Sequence, residues 1–176
     1  MAWPANGHFT MTENVKLGFG LLFCFATALG AIYDITSYRI PNFVTYGLAL
    51  AFVPYAYVTW PTLPFTAVLI NAAAVFACCV VFWQLKWLGA GDVKFLTAVS
   101  LWMPPDLILI FVFLVSIFAM GFIGLLRALR RWNPWVKSKP FPAFIKQLID
   151  TSDRAIPYGL PIAMAALSVT VPQLLS

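Results

Sequence analysis

Apolar runs long enough to cross a lipid bilayer recur along almost all of this sequence, and nothing else constrains the fold as strongly. Six can be drawn, over residues 17–34, 43–60, 64–85, 92–104, 106–126 and 155–175. A helix rising about 1.5 Å per residue needs roughly 20 apolar residues to cross the hydrocarbon core. The first, second, third and fifth runs are near that length. The fourth is short and ends at Met103-Pro104-Pro105, where proline stops or kinks a helix. The sixth carries Pro157, Pro161 and Pro172, so a bend is expected there, with neighbouring helices satisfying the freed carbonyls. With 62% of 176 residues hydrophobic and 10% charged, a soluble domain would leave too much apolar surface in water. The expected fold is an all-α polytopic membrane protein with six transmembrane helices. A polar N-terminal leader covers 1–16, and one membrane domain covers 17–176. The leader lacks the basic region that opens a secretory signal, so the first run is expected to be retained as a span.

Charge tests this topology. With six spans, the segments after the first, third and fifth share one side, and they hold ten of the eleven basic residues. Only Lys16 falls on the other side. Basic loops remain cytoplasmic, so the N-terminus is expected outside and these segments inside. If the short fourth run did not cross, residues 127–154 would fall outside with seven basic residues. In that segment cations alternate with Trp132, Trp135, Phe141 and Phe144, the composition of an interfacial belt on anionic lipid. Nucleic-acid binding is disfavoured for such a stretch beside a membrane.

The same parity brings two acids to one face. Asp34 closes the first run and Asp92 opens the fourth, whereas Glu13 and Asp106 belong to the opposite side. An acid at membrane depth is a functional candidate by default. Each also has a structural explanation. Asp92 suits a helix N-cap, as do Asp106, Asp150 and Asp153. Capping leaves unexplained the flanking Gly89 and Gly91, which allow unusual backbone and close approach by another chain. Asp34 sits toward a helix C-terminus, where negative charge is disfavoured, and a salt bridge to Arg39 is the competing explanation. Arg39-Ile40-Pro41-Asn42 then stops one helix and starts the next.

Other chemistries lack their groups. His8, the only histidine, lies in the leader, which argues against an intramembrane zinc protease or a Ser-His enzyme. Cys24, Cys78 and Cys79 form no C-x-x-C pair and are expected to be buried packing residues. Two carboxylates facing each other in a dry site can share one proton, one member serving as general base and the other as general acid.

Asp34-x-x-x-x-Arg39-Ile40-Pro41-Asn42, Gly89-Ala90-Gly91-Asp92-Val93-Lys94 and Ile156-Pro157-Tyr158-Gly159-Leu160-Pro161-Ile162-Ala163 together resemble the prepilin peptidases. These are the type IV leader peptidases among the GxGD intramembrane aspartic proteases. The resemblance runs from about residue 17 to 170. It implies a catalytic pair, Asp34 and Asp92, at the cytoplasmic face of the inner membrane, with no metal and no cofactor. It also implies a prepilin or pseudopilin substrate, cut between a basic leader and its hydrophobic helix. Without an N-terminal cysteine-containing domain, the chain is similar to the short, peptidase-only form associated with Flp/Tad pili, and methyltransferase activity is not expected. Gly89, Gly91, Arg39, Pro41, Asn42, Lys94, Pro157, Tyr158 and Gly159 are expected to shape the site. For Lys94 an inside anchor is the preferred reading; Asn42 reads alternatively as a cap, and Pro157-Tyr158-Gly159 as a packing kink. The rival functions are an inactive assembly factor of a pilus or secretion system and a small proton-coupled transporter. The latter predicts polar residues continuing across the bilayer, whereas Asn71 is nearly alone there.

Overall fold

The computed structural model describes residues 11–60, 62–131 and 157–175. Among these residues there are six helices and no strand: α1 (Met11–Ser37), α2 (Asn42–Val58), α3 (Phe65–Gln84), α4 (Ala90–Ser100), α5 (Ile108–Arg131) and α6 (Gly159–Leu175). Stretches within α1, α3 and α5 are long and apolar enough to cross a membrane, and α2 and α6 are shorter apolar helices. The chain is an all-α polytopic membrane protein. The leader at 1–10 and the basic segment at 132–156, with Asp150 and Asp153, lie outside the described residues.

The shortest helix is the innermost. α4 packs against α3, α2 and α6, and it buries Val93, Phe95, Leu96, Ala98, Val99 and Ser100 along with Asp92. The longer helices surround it, α6 bridging α1 and α5. Gly30 of α1 lets the Phe95 ring approach so closely that any Cβ there would meet it.

The fourth run differs from expectation in how it ends. The helix stops at Ser100, before Met103-Pro104-Pro105, having covered about 16 Å at 1.5 Å per residue. That is roughly half of a hydrocarbon core about 30 Å thick. Beyond it the chain turns through 101–107. The turn is braced: the Trp102 indole N–H donates to Leu48 O at 3.1 Å, and the Asn71 amide donates to Pro105 O at 3.1 Å. The Trp102 ring packs on Phe23, Phe52 and Tyr55, with centroid separations of 5.3, 5.8 and 5.1 Å. Irregular backbone inside a membrane bundle is tolerated where protein satisfies its polar groups: Asn71 serves Pro105 O, and the N–H groups of Trp102, Met103 and Leu107 bond to Val99 O, Ser100 O and Pro104 O.

The sixth run is also corrected. α6 begins at Gly159, so Pro157 precedes the helix and Pro161 falls in its first turn, where backbone N–H groups have no intrahelical partner. Pro172 lies close to the other end. The prolines mark the ends of α6. The expectation for the cysteines holds for Cys79, which is buried, and fails for Cys78, which is exposed.

Candidate active site

Helix ends meet at one end of the bundle: the end of α1 with the start of α2, the end of α3 with the start of α4, the last turns of α5 and the start of α6. A cavity of about 1190 Å³ lies between them, and both Asp34 and Asp92 line it. Each acid is nearly inaccessible, at 4% and 8% exposure. They come from different helices and reach one cavity because α4 runs back between the helices that precede it.

Asp92 is not the N-cap of α4. Gly89 holds that position, with extended backbone, and Asp92 lies at the third helical residue. Its Oδ2 accepts the Gly89 N–H at 3.2 Å, satisfying a donor the helix leaves unpaired. The capping explanation is therefore correct in kind and shifted by three residues. Neither Gly89 nor Gly91 has positive φ. Gly89 is needed for space, since a Cβ there would lie 2.8 Å from Asp92 Oδ2. Gly91 lines the cavity, with nothing within 4 Å of an added Cβ.

The partner Asp34 finds is not Arg39 but Gly159, 125 residues later. The Gly159 N–H, at the start of α6, donates to Asp34 Oδ2 at 2.5 Å. The Pro157-Tyr158-Gly159 segment thus enters the site as a helix start, not as a kink. Pro157 is buried, and Tyr158 lines the cavity. Burial pushes the Tyr158 phenol above its usual pKa, the Asp92 carboxylate adds to this, and Arg127 opposes it. Tyr158 is accordingly a neutral hydroxyl within electrostatic reach of both.

The remaining expected residues divide. Arg39 lines the cavity. Pro41 is the N-cap of α2, and Asn42 is its exposed first residue; neither is among the cavity walls. Lys94 also lies off the cavity: its ammonium stands 5.8 Å above the Tyr46 ring, a cation–π contact on the bundle's outside.

Sequence reasoning missed Tyr38, Trp83, Lys86, Trp87, Ile123 and Arg127, all of which line the cavity. Two of them carry a backbone signature. Tyr38 and Lys86 have φ of 51° and 61°, the left-handed region that favours glycine. Each follows a helix end. Tyr38 N–H bonds to Asp34 O, closing α1, while α3 closes with Lys86 N–H to Trp83 O and Trp87 N–H to Phe82 O. That second pair is a Schellman motif with lysine in the glycine position. Strain of this kind collects where the side chain serves a purpose. Both residues line the same cavity, whose walls also include Arg39 and Arg127 with the two acids.

These features define a polytopic helical membrane protein with a paired-carboxylate cavity at one end of its bundle. A family model described as the type IV leader peptidase family matches residues 21–125, more than half of the chain, and the chain belongs to that family. It is thus a member of a peptidase family, in agreement with the resemblance read from its motifs. The match contains Asp34 and Asp92 and ends before Gly159. No curated protein and no solved structure matches the chain.

Proposed function

We infer that this protein is an aspartic endopeptidase that removes the leader from a prepilin or pseudopilin, with Asp34 and Asp92 as its catalytic pair. The observation that carries this reading is that two buried carboxylates from separate helices line one cavity. Two such groups at close range do not both ionise readily, so the pair holds one proton between its members. The ionised member removes a proton from a water as that water attacks the scissile carbonyl. The protonated member donates to the carbonyl oxygen. Collapse of the tetrahedral intermediate breaks the C–N bond, and a proton passes to the leaving amine. Tyr158, as a neutral hydroxyl, supplies a further donor at the wall.

The basic residues support placing this cavity at the cytoplasmic face of the inner membrane. Arg39, Lys86 and Arg127 line it, and ten of the eleven basic residues belong to that side of a six-span topology. The substrate would then present its leader in the cytoplasm and its apolar helix in the bilayer. The transporter reading weakens, because Asn71 is engaged with Pro105 O.

The test uses the purified full chain in lipid with a tagged prepilin. Cleavage is expected from the unaltered protein and is expected to disappear in Asp34→Asn and in Asp92→Asn, each still folded. Full activity in either variant would sink the pair. Activity is also expected to survive chelators; inhibition that a specific metal restores counts against the mechanism. Absence of cleavage by the unaltered chain across prepilins and pseudopilins favours the assembly-factor alternative.

A further inference from the structure

Both candidate acids are held in the same way. Asp92 Oδ2 accepts from the Gly89 N–H at the start of α4, and Asp34 Oδ2 accepts from the Gly159 N–H at the start of α6. In both cases the donor is a glycine whose missing Cβ is what allows the approach. A Cβ on Gly89 would lie 2.8 Å from Asp92 Oδ2, and one on Gly159 would lie 2.8 Å from both Cβ and Oδ2 of Asp34. Neither glycine is selected for dihedral freedom, since no described glycine has positive φ.

The two tethers differ in reach. The Gly89–Asp92 bond spans three residues and forms when the first turn of α4 forms. The Gly159–Asp34 bond joins residues 125 apart and exists only when α6 is seated against α1. That seating is intimate at both ends. At the far end Gly20 of α1 receives the Leu174 side chain, at a separation a Cβ on Gly20 would not allow. At the near end Pro157 is buried and Pro161 occupies the first turn of α6, which restricts the backbone on either side of the donor.

We propose that Gly159 is a positioning residue: its backbone N–H fixes one oxygen of Asp34 and so orients the other toward Asp92, making docking of α6 on α1 the step that completes the pair. This rests on the aspartic-peptidase reading and deepens it, assigning a role to a residue outside the span the family model matches. A hydrogen bond from a helix start to a carboxylate is charge-assisted and directional, so it sets a rotamer as well as a position. A displacement of about 1 Å in a reacting group costs on the order of 100-fold in rate.

The test has a spectroscopic arm and a kinetic arm, both on the full chain in lipid. The chain has 10 glycines, so glycine-selective 15N labelling gives a spectrum simple enough to assign. The Gly159 amide proton is expected far downfield, as a short bond to a carboxylate requires. It should move upfield in Asp34→Ala and stay in place in Asp92→Ala. A Gly159 resonance indifferent to Asp34→Ala overturns the proposal, and this arm needs no activity. In the kinetic arm, Gly159→Ala is expected to lower kcat by about 100-fold with KM within about twofold, the pattern of lost positioning. Gly20→Ala, which disturbs the same helix pair at its far end, is the control for mere loosening. The Leu174 tip can turn aside, so at most a small fall in unfolding temperature is expected, with kcat within about twofold. Equal kcat losses at equal loss of stability in the two variants, or an undiminished kcat in Gly159→Ala, overturn the positioning role. If the resonance behaves as expected but the unaltered protein cleaves no prepilin, the peptidase reading fails and the tether stands.

Discussion

The two ends of α4 are built to opposite purposes. Its far end runs into the turn at 101–107, where Trp102 is packed by three aromatic rings and every polar group named above has a protein partner. Its near end opens on a cavity of about 1190 Å³ that collects both acids, three cations and two strained residues. The far end is dense and satisfied, and the near end is roomy and charged. One helix of 11 residues therefore joins an anchor to the candidate active site. The contrast teaches that a short helix can be the central one: the longer helices surround α4, and it supplies the axis on which they converge.

The sharpest way to break this contrast is to neutralise the near end. Asp34→Asn and Asp92→Asn are each expected to reduce prepilin cleavage by about 1000-fold or more, as loss of a general acid or base does. Their thermal unfolding in lipid is expected to stay within a few degrees of the parent. A large fall in unfolding temperature for both would show that the near end, too, is an anchor. At the far end the expectation reverses. Trp102→Ala removes a ring that touches Phe23, Phe52 and Tyr55, and it is expected to cost about 3–5 kcal/mol. Thermal unfolding should report that loss, while the fraction that remains folded keeps kcat within a few-fold.

Smaller changes refine the boundary. Asn71→Leu leaves the Pro105 carbonyl without its side-chain donor at membrane depth, an expected loss of about 1–3 kcal/mol. Chemical or thermal unfolding measures it, and cleavage by the folded fraction should be little altered. Lys86→Gly is the most discriminating. Glycine relieves the left-handed backbone at that helix end and is expected to stabilise by about 1 kcal/mol. If the lysine serves the cavity, the stabilised variant loses activity, by about tenfold in kcat/KM. A variant both more stable and fully active would show that the strain at Lys86 serves nothing in cleavage.

Much of this architecture is legible without coordinates. Long apolar runs specify helices in a bilayer because only a helix satisfies its own backbone there, and those runs located α1, α2, α3 and α5 closely. The positions of Asp34 and Asp92 could be marked because an acid at the edge of an apolar run has few innocent explanations. The fourth and sixth runs were located less well. Their ends depend on what braces them: Trp102 and Asn71 hold a turn inside the bundle where hydropathy alone predicts more helix. The charged residues were the hardest to place. Arg39, Lys86 and Lys94 look alike as inside cations, yet the first two line the cavity and Lys94 stacks on Tyr46. The difference is one of helical phase and of where α3 ends relative to α4.

What the sequence determines by itself is the medium, the helices and the pair of acids, because each follows from composition or from residues close together in the chain. What only the tertiary structure decides is what holds Asp34. Arg39, five positions away, is the natural partner for Asp34 by local reasoning, yet the bond comes from Gly159, 125 residues on. A backbone N–H leaves no mark in the residue pattern, since every residue but proline has one. Which N–H reaches Asp34 is set by how α6 seats against α1, and that is a property of packed helices.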